Sequence, residues 1–301
     1  MSNITPHTRI PRIPRGASGM GYHLASIRMR AKTLAARLGL PLIWIPPGPF
    51  LMGTWDEDIP RLIERLGGKR EWYDRETPLH KVTLPGYWIG RYPVTVAMFR
   101  TFVQASGYRP AEKLCLQGQD DHPVVYVTWY DAWAFCCWLS ERTGIAVALP
   151  SEAEWEKAAR GTDGRIYPWG DASPGEHFSN FEETIGHATP VGQYSPQGDS
   201  PYGCSDMAGN VWEWTQSLWG SDWSEPQFKY PYNPKNGRES LQTDPDARRV
   251  LRGGAFYSYA WFVRCAYRSG DHPRVCGSSV GFRVVAFSAM PHGYTHRQPQ
   301  R

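Results

Sequence analysis

The sequence predicts an α+β domain with short antiparallel strands and little regular secondary structure. Glycine and proline are frequent, with 30 and 26 residues among 301, and 14 tryptophans are available to pin loops. Short strand-like runs bounded by glycine or proline recur, whereas continuous helical periodicity is scarce. A chain of this length can bury a sizeable core as one large domain or as two.

Two stretches have the spacing of amphipathic helices, and a third begins at an N-terminal capping signal. Residues 96–106 place two phenylalanines on one side, and residues 130–143 have an apolar side of tryptophan, alanine and cysteine. Ser151 followed by Glu154 is a capping box just before an apolar run, so we expect a helix to begin there.

The ten residues 206–215, with the sequence DMAGNVWEWT, combine two indoles with two carboxylates. On a strand, Trp212 and Trp214 share one face and Glu213 points to the other. A strand that buries both tryptophans also hides Glu213, whose charge then needs a partner. A bound cation would supply that partner, and so would an arginine.

This segment resembles the AGNVWEW motif of the formylglycine-generating-enzyme (sulfatase-modifying factor) family, and further blocks of the family follow in the same order. They are residues 47–53, 78–90, 92–95, 123–129, 149–159, 167–170, 249–254 and 281–285. The resemblance covers residues 46–287 and implies a C-type-lectin-like fold of the formylglycine-generating-enzyme type. We therefore expect a basic N-terminal extension over 1–45, one domain over 46–288 and a C-terminal tail over 289–301.

The N-terminal extension carries an uneven charge, although the net charge of the chain is only +4. Seven arginines and lysines precede Asp56, and no acidic residue does. Residues 23–38 have the pattern of a basic helix with one apolar side. It would pack on the domain, form a flexible solubilising arm, or contact nucleic acid or a membrane surface. The aromatic residues that stack on bases are missing, so a nucleic-acid partner is not expected.

The remaining bulk properties favour a cytoplasmic protein. No run of eighteen apolar residues occurs, so we expect no membrane span, and no apolar stretch near the N-terminus predicts a secretory signal. The six cysteines show no CxxC spacing. In a chain of this size, buried free thiols are favoured over a disulfide framework.

The family resemblance implies one enzymatic activity, the oxidation of a substrate cysteine to formylglycine by a copper ion held by two cysteines. A Cu(I) ion prefers such a pair of thiolates. The resemblance places Cys265 on the second of these ligands and Ala260, which has no ligand atom, on the first. Cys276 lies on the wrong side of Cys265 in sequence. We therefore expect a non-catalytic protein, with Cys265 as the catalytic residue of the alternative.

A second enzymatic branch of the family consists of non-haem iron sulfoxide synthases, which use a site of three histidines. The nine histidines here are scattered, and only His292 and His296 have the HxxxH spacing that puts two imidazoles on one helical face, one ligand short of such a site. The N-terminal extension is also too short for the helical domain that supplies most of those ligands. Iron catalysis is therefore not expected.

Residues 255–280 have the composition of a binding surface. They are rich in aromatic residues, serine and glycine, and they lack lysine, glutamate, glutamine and methionine. In paratopes, rigid rings give contact area and small polar residues adapt to the partner. The segment resembles that of the variable proteins of diversity-generating retroelements. In those proteins a reverse transcriptase rewrites adenines in the C-terminal codons of a C-type-lectin-like domain.

This resemblance implies a fixed frame around variable, ligand-binding positions in 257–279. The fixed positions would be Arg264, Ala266, Arg268, Pro273 and residues 281–283. The variable positions would be Tyr257, Ser258, Tyr259, Trp261, Phe262, Ser269, Gly270, Asp271, His272, Arg274, Val275, Cys276, Gly277, Ser278 and Ser279. Trp261 departs from the pattern, because adenine changes in an asparagine codon do not produce tryptophan. The other interpretation is an ordinary loop without diversification.

Side-chain size and alternation favour exposure of this segment. The side chains in its short polar runs are too small and polar to fill a protein interior. Strand alternation over 256–262 would put Tyr257, Tyr259 and Trp261 on one face. An exposed aromatic row beside small polar loops forms a recognition surface. Buried carboxylates would hold the loops by bidentate pairs with three arginines of the frame: Arg252, Arg268 and Arg283.

Structural calcium is a further implication of the family resemblance. One site would use the side chains of Asp206 and Glu213 and the backbone carbonyls of Gly209 and Val211, all oxygen ligands that Ca²⁺ prefers. The alternative is that Asp206 caps a turn and Glu213 pairs with an arginine. The second calcium site of the family would draw on Asn180 and Phe181.

The sequence thus favours a non-catalytic ligand-binding protein whose partner is a protein or another macromolecular surface. The alternative is a copper- or iron-dependent oxidase that acts on cysteine or a small thiol. A third interpretation is a structural or regulatory domain without a diversified surface.

Overall fold

The computed structural model describes residues 35–36 and 39–287, and its strands form three sheets. The strands are β1 (Leu42–Ile45), β2 (Gly48–Met52), β3 (His80–Leu84), β4 (Tyr87–Gly90), β5 (Ala146–Ala148), β6 (Trp212–Gly220), β7 (Arg248–Arg252), β8 (Ser269–Asp271), β9 (Val280–Phe282) and β10 (Val285–Phe287). The first sheet has the order β1-β4-β10-β5, the second pairs β2 with β3, and the third has the order β8-β7-β6-β9. All pairs are antiparallel except β6 with β9.

Five α-helices lie within residues 39–287. They are α1 (Ile59–Leu66), α2 (Arg70–Asp74), α3 (Val96–Ser106), α4 (Trp129–Thr143) and α5 (Glu152–Arg160). Short 3₁₀ helices cover Asp56–Asp58 and Lys113–Leu116. The helices predicted over 96–106 and 130–143 are confirmed as α3 and α4.

Capping residues explain where the long helices begin and end. The side chain of Thr128 accepts from the amide of Asp131, and the Asp131 side chain accepts from the Thr128 amide, so α4 begins with a capping box. It ends at Gly144 in the left-handed region. Ser151 and Glu154 form the same reciprocal pair at the start of α5, which confirms the predicted capping box.

An aromatic cluster joins the helices to the third sheet. The rings of Phe99 on α3 and Phe135 on α4 are stacked with centroids 6.1 Å apart. Phe135 meets Phe282 of β9 edge to face at 5.5 Å. Edge-to-face contacts add to the stabilisation that ring burial itself provides. The main core therefore continues from α3 and α4 to the strand just before Arg283.

Strand β6 is buried along its whole length between β7 and β9. Trp214 donates from its indole nitrogen to the carbonyl of Val127 over 3.1 Å. Glu213 is fully buried as well, so its charge needs a buried partner, as the sequence predicts.

Several predictions concern segments at the two ends of the chain. The predicted helix over 23–38, apart from residues 35–36, and the tail over 289–301 lie outside the described residues. Strand β1 precedes the predicted start of the domain at residue 46 and pairs with β4. No helix in the described part is long and apolar enough to cross a membrane.

Candidate functional site

Two arginines of the predicted frame form bidentate ion pairs with buried glutamates. Arg268 Nε and Nη2 donate to the two carboxylate oxygens of Glu152 on α5 over 2.6 and 2.9 Å. Arg283 Nε and Nη2 donate to those of Glu213, each over 2.6 Å. All four side chains are fully buried, so each charge has exchanged water for its partner. The bidentate pairs predicted at Arg268 and Arg283 are confirmed.

Arg252 uses its guanidinium differently. Its Nη2 donates to Glu156 on α5 and to the carbonyl of Cys265, and its Nη1 donates to the carbonyl of Ala266. The pair is therefore not bidentate: Nη1 and Nη2 also hold the main chain of the segment, and the buried Nε has no hydrogen-bond partner in the described part. Burial acts to raise the pKa of Glu156, but Arg252 and Arg160 outweigh it, and the net pKa lies below the ordinary value.

Arg264 attaches the segment to the chain that follows α2. Its Nη2 donates to Glu76 over 2.6 Å, and its guanidinium lies over the ring of Tyr73 at 4.3 Å from the centroid. Burial raises the pKa of Glu76 despite the nearby arginine. All the predicted fixed positions are buried: Arg264, Ala266, Arg268, Pro273 and residues 281–283.

The chain after β7 does not form the predicted strand. Gly253 and Gly254 have positive φ angles of 91° and 75°, and they turn the chain away from the sheet. Ser258 Oγ then accepts from the amide of Ala255 over 2.9 Å, a local hydrogen bond that competes with a strand ladder. Ser258 is buried as a result, and turns replace the alternating row predicted over 256–262.

The aromatic residues of the segment divide into exposed and supported rings. Tyr257 and Tyr259 are 43% and 53% exposed, as predicted, whereas Trp261 is only partly exposed. Tyr259 stacks on Trp261 with ring centroids 4.7 Å apart. Trp261 stacks in turn on Trp72 of α2 at 5.8 Å. Trp72 is a site residue that sequence reasoning missed, because no local pattern links α2 to residue 261.

Two acidic residues, Asp271 and Asp246, take part in the side-chain contacts of the second half of the segment. Strand β8 is the edge of the third sheet, and its last residue, Asp271, accepts from Arg248 over 3.2 Å. His272 Nε2 and Arg274 Nε lie 3.3 and 3.7 Å from Asp246 Oδ1. These contacts are at least partly exposed and contribute little stability, so their side chains are available to a partner.

Main-chain hydrogen bonds attach the segment to its surroundings. The amide of Glu182 donates to the carbonyl of Ser258 over 3.0 Å. The amide of Tyr126 donates to the carbonyl of Gly277 over 2.9 Å, and that of Trp129 donates to the carbonyl of Pro273 over 2.9 Å. Any residue except proline can donate such a bond, and every residue can accept one. The path of the segment therefore depends weakly on which side chains it carries.

Thirteen of the fifteen predicted variable positions are at least partly exposed, and the two buried ones are Ser258 and Ser279. The two glycines of this set differ in the space around them. A Cβ atom on Gly277 would meet nothing within 4 Å, whereas one on Gly270 would lie 2.2 Å from Cγ of Trp219. Position 277 thus accepts a side chain, and position 270 accepts none without displacing Trp219.

The thiol of Cys265 is fully buried, and burial raises its pKa to about 12, so it is protonated at neutral pH. The charges that act on it come from Arg160, Glu156 and Arg252. Burial also raises the pKa of Cys276, and the charges that raise it further are those of Asp131 and Glu112, which differ from the charges that act on Cys265. No second thiol is among the groups that act on the pKa of Cys265, so its surroundings show no partner thiolate for copper.

Asp206 fits a cation better than any other residue of the predicted calcium site. It has a φ of 57°, and its Oδ2 accepts from the amide of Gly192 over 2.7 Å. Burial raises the pKa of its carboxyl to about 6, although the Gly192 amide and Arg283 act to lower it. A cation bound beside Asp206 would remove this penalty, because an opposite charge stabilises the ionised form.

Glu213 does not fit that site. Arg283 occupies both of its carboxylate oxygens, and the indole nitrogen of Trp155 donates to one of them over 2.8 Å. Of the two alternatives for Glu213, the structure shows the arginine pair. Gly209 lies against the carbonyl of Asn180, whose buried side-chain oxygen has no hydrogen-bond partner in the described part.

Val211 is buried next to β6. Across residues 39–287, no three side chains of histidine, cysteine, aspartate or glutamate lie close enough together to hold a metal ion. Calcium bound by Asp206 and backbone carbonyls stays a prediction.

Comparison with known proteins identifies the family. The sulfatase-modifying factor enzyme 1-like domain matches residues 32–287. The chain belongs to this family. The formylglycine-generating enzyme of Mus musculus is 30% identical over 307 aligned positions, which cover 81% of this chain and 74% of the mouse enzyme.

Other relatives contain the domain as part of a longer chain. A serine/threonine-protein kinase Pkn1 of Chlamydia trachomatis is 34% identical over 81% of this chain and 38% of its own. Hercynine oxygenase of Mycolicibacterium smegmatis is 30% identical over 77% of this chain and 58% of its own. Members of the family therefore include enzymes, and the site residues must decide what this member does.

Solved structures confirm the predicted fold of the formylglycine-generating-enzyme type, which is α+β and C-type-lectin-like. PvdO from Pseudomonas aeruginosa superposes with a TM-score of 0.62 and 24% identity, over 81% of this chain and 93% of its own. Treponema denticola variable protein 1 superposes with a TM-score of 0.59 and 22% identity, over 81% and 94% of the two chains.

Proposed function

We propose that the protein is a non-catalytic ligand-binding protein that presents residues 257–279 as a binding surface, in the manner of the variable proteins of diversity-generating retroelements. One observation carries this proposal. The predicted fixed positions are all buried, and thirteen of the fifteen predicted variable positions are at least partly exposed. A segment built for packing would not divide in this way.

The way in which the segment is held supports the same function. Buried ion pairs at Arg252, Arg264, Arg268 and Arg283 join it to the core, and main-chain hydrogen bonds set its path. Neither kind of contact involves the exposed side chains. Substitutions at those positions therefore change what the surface recognises while the fold keeps its stability.

The chemistry of the surface suits a protein or another macromolecule as partner. Tyr257 and Tyr259 supply rigid amphipathic area, and His272, Arg274 and Ser278 supply polar groups around it. Treponema denticola variable protein 1 has the same fold, which makes this domain a suitable scaffold for a variable surface.

We also propose a structural calcium ion at Asp206, whose buried carboxylate would gain an opposite charge from it.

Against the alternative of a copper oxidase stands the environment of Cys265. Its thiol is buried and protonated, and no second thiol accompanies it. After loading with copper, the protein should show no thiol-dependent oxygen uptake. Uptake that disappears in C265S would establish the oxidase instead.

The DNA that follows the coding sequence offers a direct test of the proposal. We expect a reverse-transcriptase gene and a near-copy of the codons for 257–279 that differs only where the copy has adenine. A repeat that differs at the codons of the buried arginines, or at bases other than adenine, would argue against diversification.

A display experiment tests the surface itself. One library randomises the exposed positions Tyr257, Tyr259, Val275 and Ser278, and a matched library randomises the buried positions 258 and 279 together with position 270, which packs on Trp219. The first should stay folded on the yeast surface and yield binders to a globular probe such as lysozyme, whereas most clones of the second should unfold. The proposal fails if both libraries unfold to the same extent.

A further inference from the structure

Trp261 fills a cleft that belongs to a different part of the chain. We call this cleft the receptacle and define it by Gly67, Gly68 and Trp72, which lie at the junction of α1 and α2. A Cβ atom on Gly67 would lie 3.2 Å from Cζ3 of Trp261, and one on Gly68 would lie 3.3 Å from its Cγ. Both glycines have positive φ angles, of 83° and 90°, so the backbone also requires glycine there.

The receptacle has the shape and polarity of a site for a flat aromatic ring. The indole of Trp72 forms one wall and stacks on Trp261 with an angle of 17° between the rings. The apolar cluster of Ile59, Leu62 and Tyr73 lies behind it. The two glycines present bare backbone, so a planar ring approaches more closely than a bulkier group would.

Tryptophan is not an ideal occupant of this receptacle. The indole nitrogen of Trp261 is buried and has no hydrogen-bond partner in the described part of the chain. Leaving a buried donor unpaired is unfavourable, and the rest of the ring packs well. The receptacle therefore accommodates the flat ring of Trp261 but provides no hydrogen-bond acceptor for its indole N–H.

We propose that the receptacle is a fixed aromatic-binding site, which Trp261 fills from within in this chain. If position 261 carries a small residue, the site opens and accepts an aromatic ring from outside. Under the proposed function, that ring is an aromatic side chain of the partner protein. Position 261 then decides whether the surface beside Tyr259 is closed or offers a cleft.

Indole is the probe for this site, and it is tested on W261G and W261S. A ligand at about ten times its Kd raises the melting temperature of a domain of this size by about 3 °C. We expect a rise of this order with 2 mM indole for both variants and none for the wild-type protein. Cyclohexanol, which is apolar but not planar, should have a weaker effect.

Y259G is the matched control, because it removes the other ring of the same stack without emptying the receptacle. W72A in the W261G background should abolish the response to indole. Equal stabilisation of wild type, Y259G and W261G would overturn the proposal, and so would no response in either variant at 261. If both variants at 261 remain unfolded even with indole, Trp261 is an ordinary core residue and the proposal is wrong.

The test does not depend on diversification of the segment. If the DNA lacks an adenine-rich repeat but indole stabilises W261G, the proposed function fails and the aromatic site stands. If the repeat is present and indole has no effect, the opposite holds.

Discussion

Replacing Asp206 with asparagine should stabilise the protein at neutral pH. The buried carboxylate lacks a cationic partner close enough to offset its burial, and burial raises its pKa to about 6. Asparagine has the same shape, keeps an oxygen that accepts from the amide of Gly192, and tolerates the positive φ of this position. The D206N variant therefore removes the charge and keeps the hydrogen bond.

The size of the effect follows from the change in pKa. The ordinary value of an aspartate is 3.8, so a pKa of about 6 in the folded protein costs about 3 kcal/mol once Asp206 is ionised. Because the folded-state pKa is the higher one, stability is favoured in acid, falls as the pH rises from 3.8 through 6, and is lost above that range. The advantage of D206N should approach about 3 kcal/mol at pH 7.5 and shrink to about 1 kcal/mol at pH 4.5.

Urea unfolding followed by tryptophan fluorescence measures this difference, in EDTA at both pH values. D199N is a matched control, because Asp199 accepts from the hydroxyls of Ser195 and Ser205 and its replacement should destabilise the protein. A D206N variant that is less stable than wild type at pH 7.5, or whose advantage does not depend on pH, would refute the reasoning. Adding calcium should stabilise wild type more than D206N if Asp206 is a ligand.

Three further predictions concern the frame and the segment. R268Q should lower the free energy of unfolding by about 3 kcal/mol, because Glu152 loses its bidentate partner and keeps only its buried ion pair with Arg238; urea titration checks this. G270A should lower the melting temperature, whereas G277A should leave it unchanged, because only the first meets Trp219; equal effects would contradict this difference. Ellman's reagent should modify one thiol rapidly in the folded protein, the partly exposed Cys276, since the other five cysteines are buried; mass spectrometry of the labelled peptide identifies it.

Local signals in the sequence predicted three of the five described helices, α3, α4 and α5, but not α1 and α2. The capping box of Ser151 and Glu154 and the apolar sides of α3 and α4 depend on residues close in sequence. The resemblance to a known family added the order of the elements and the frame arginines. Exposure of Tyr257 and Tyr259 followed from the composition of the segment.

Long-range contacts were beyond such reasoning. The alternation over 256–262 indicated a strand, but Gly253 and Gly254 turn the chain away from β7, and Ser258 then satisfies a local amide. Nothing in the sequence pairs Trp261 with Trp72, because α2 precedes it by almost two hundred residues. The packing of Gly270 on Trp219 could not be predicted either, since a glycine in a polar run is typical of an exposed loop.

Helix α5 presents Glu152 and Glu156 one turn apart, and these two carboxylates receive Arg268 and Arg252. One short helix thus anchors both the end of β7, which leads into the segment 257–279, and the middle of that segment. Amide protons at both places should exchange with solvent at a shared, slow rate, since neither end can open while the other stays docked. Under the proposed function, codon changes on the exposed face would leave this anchor untouched.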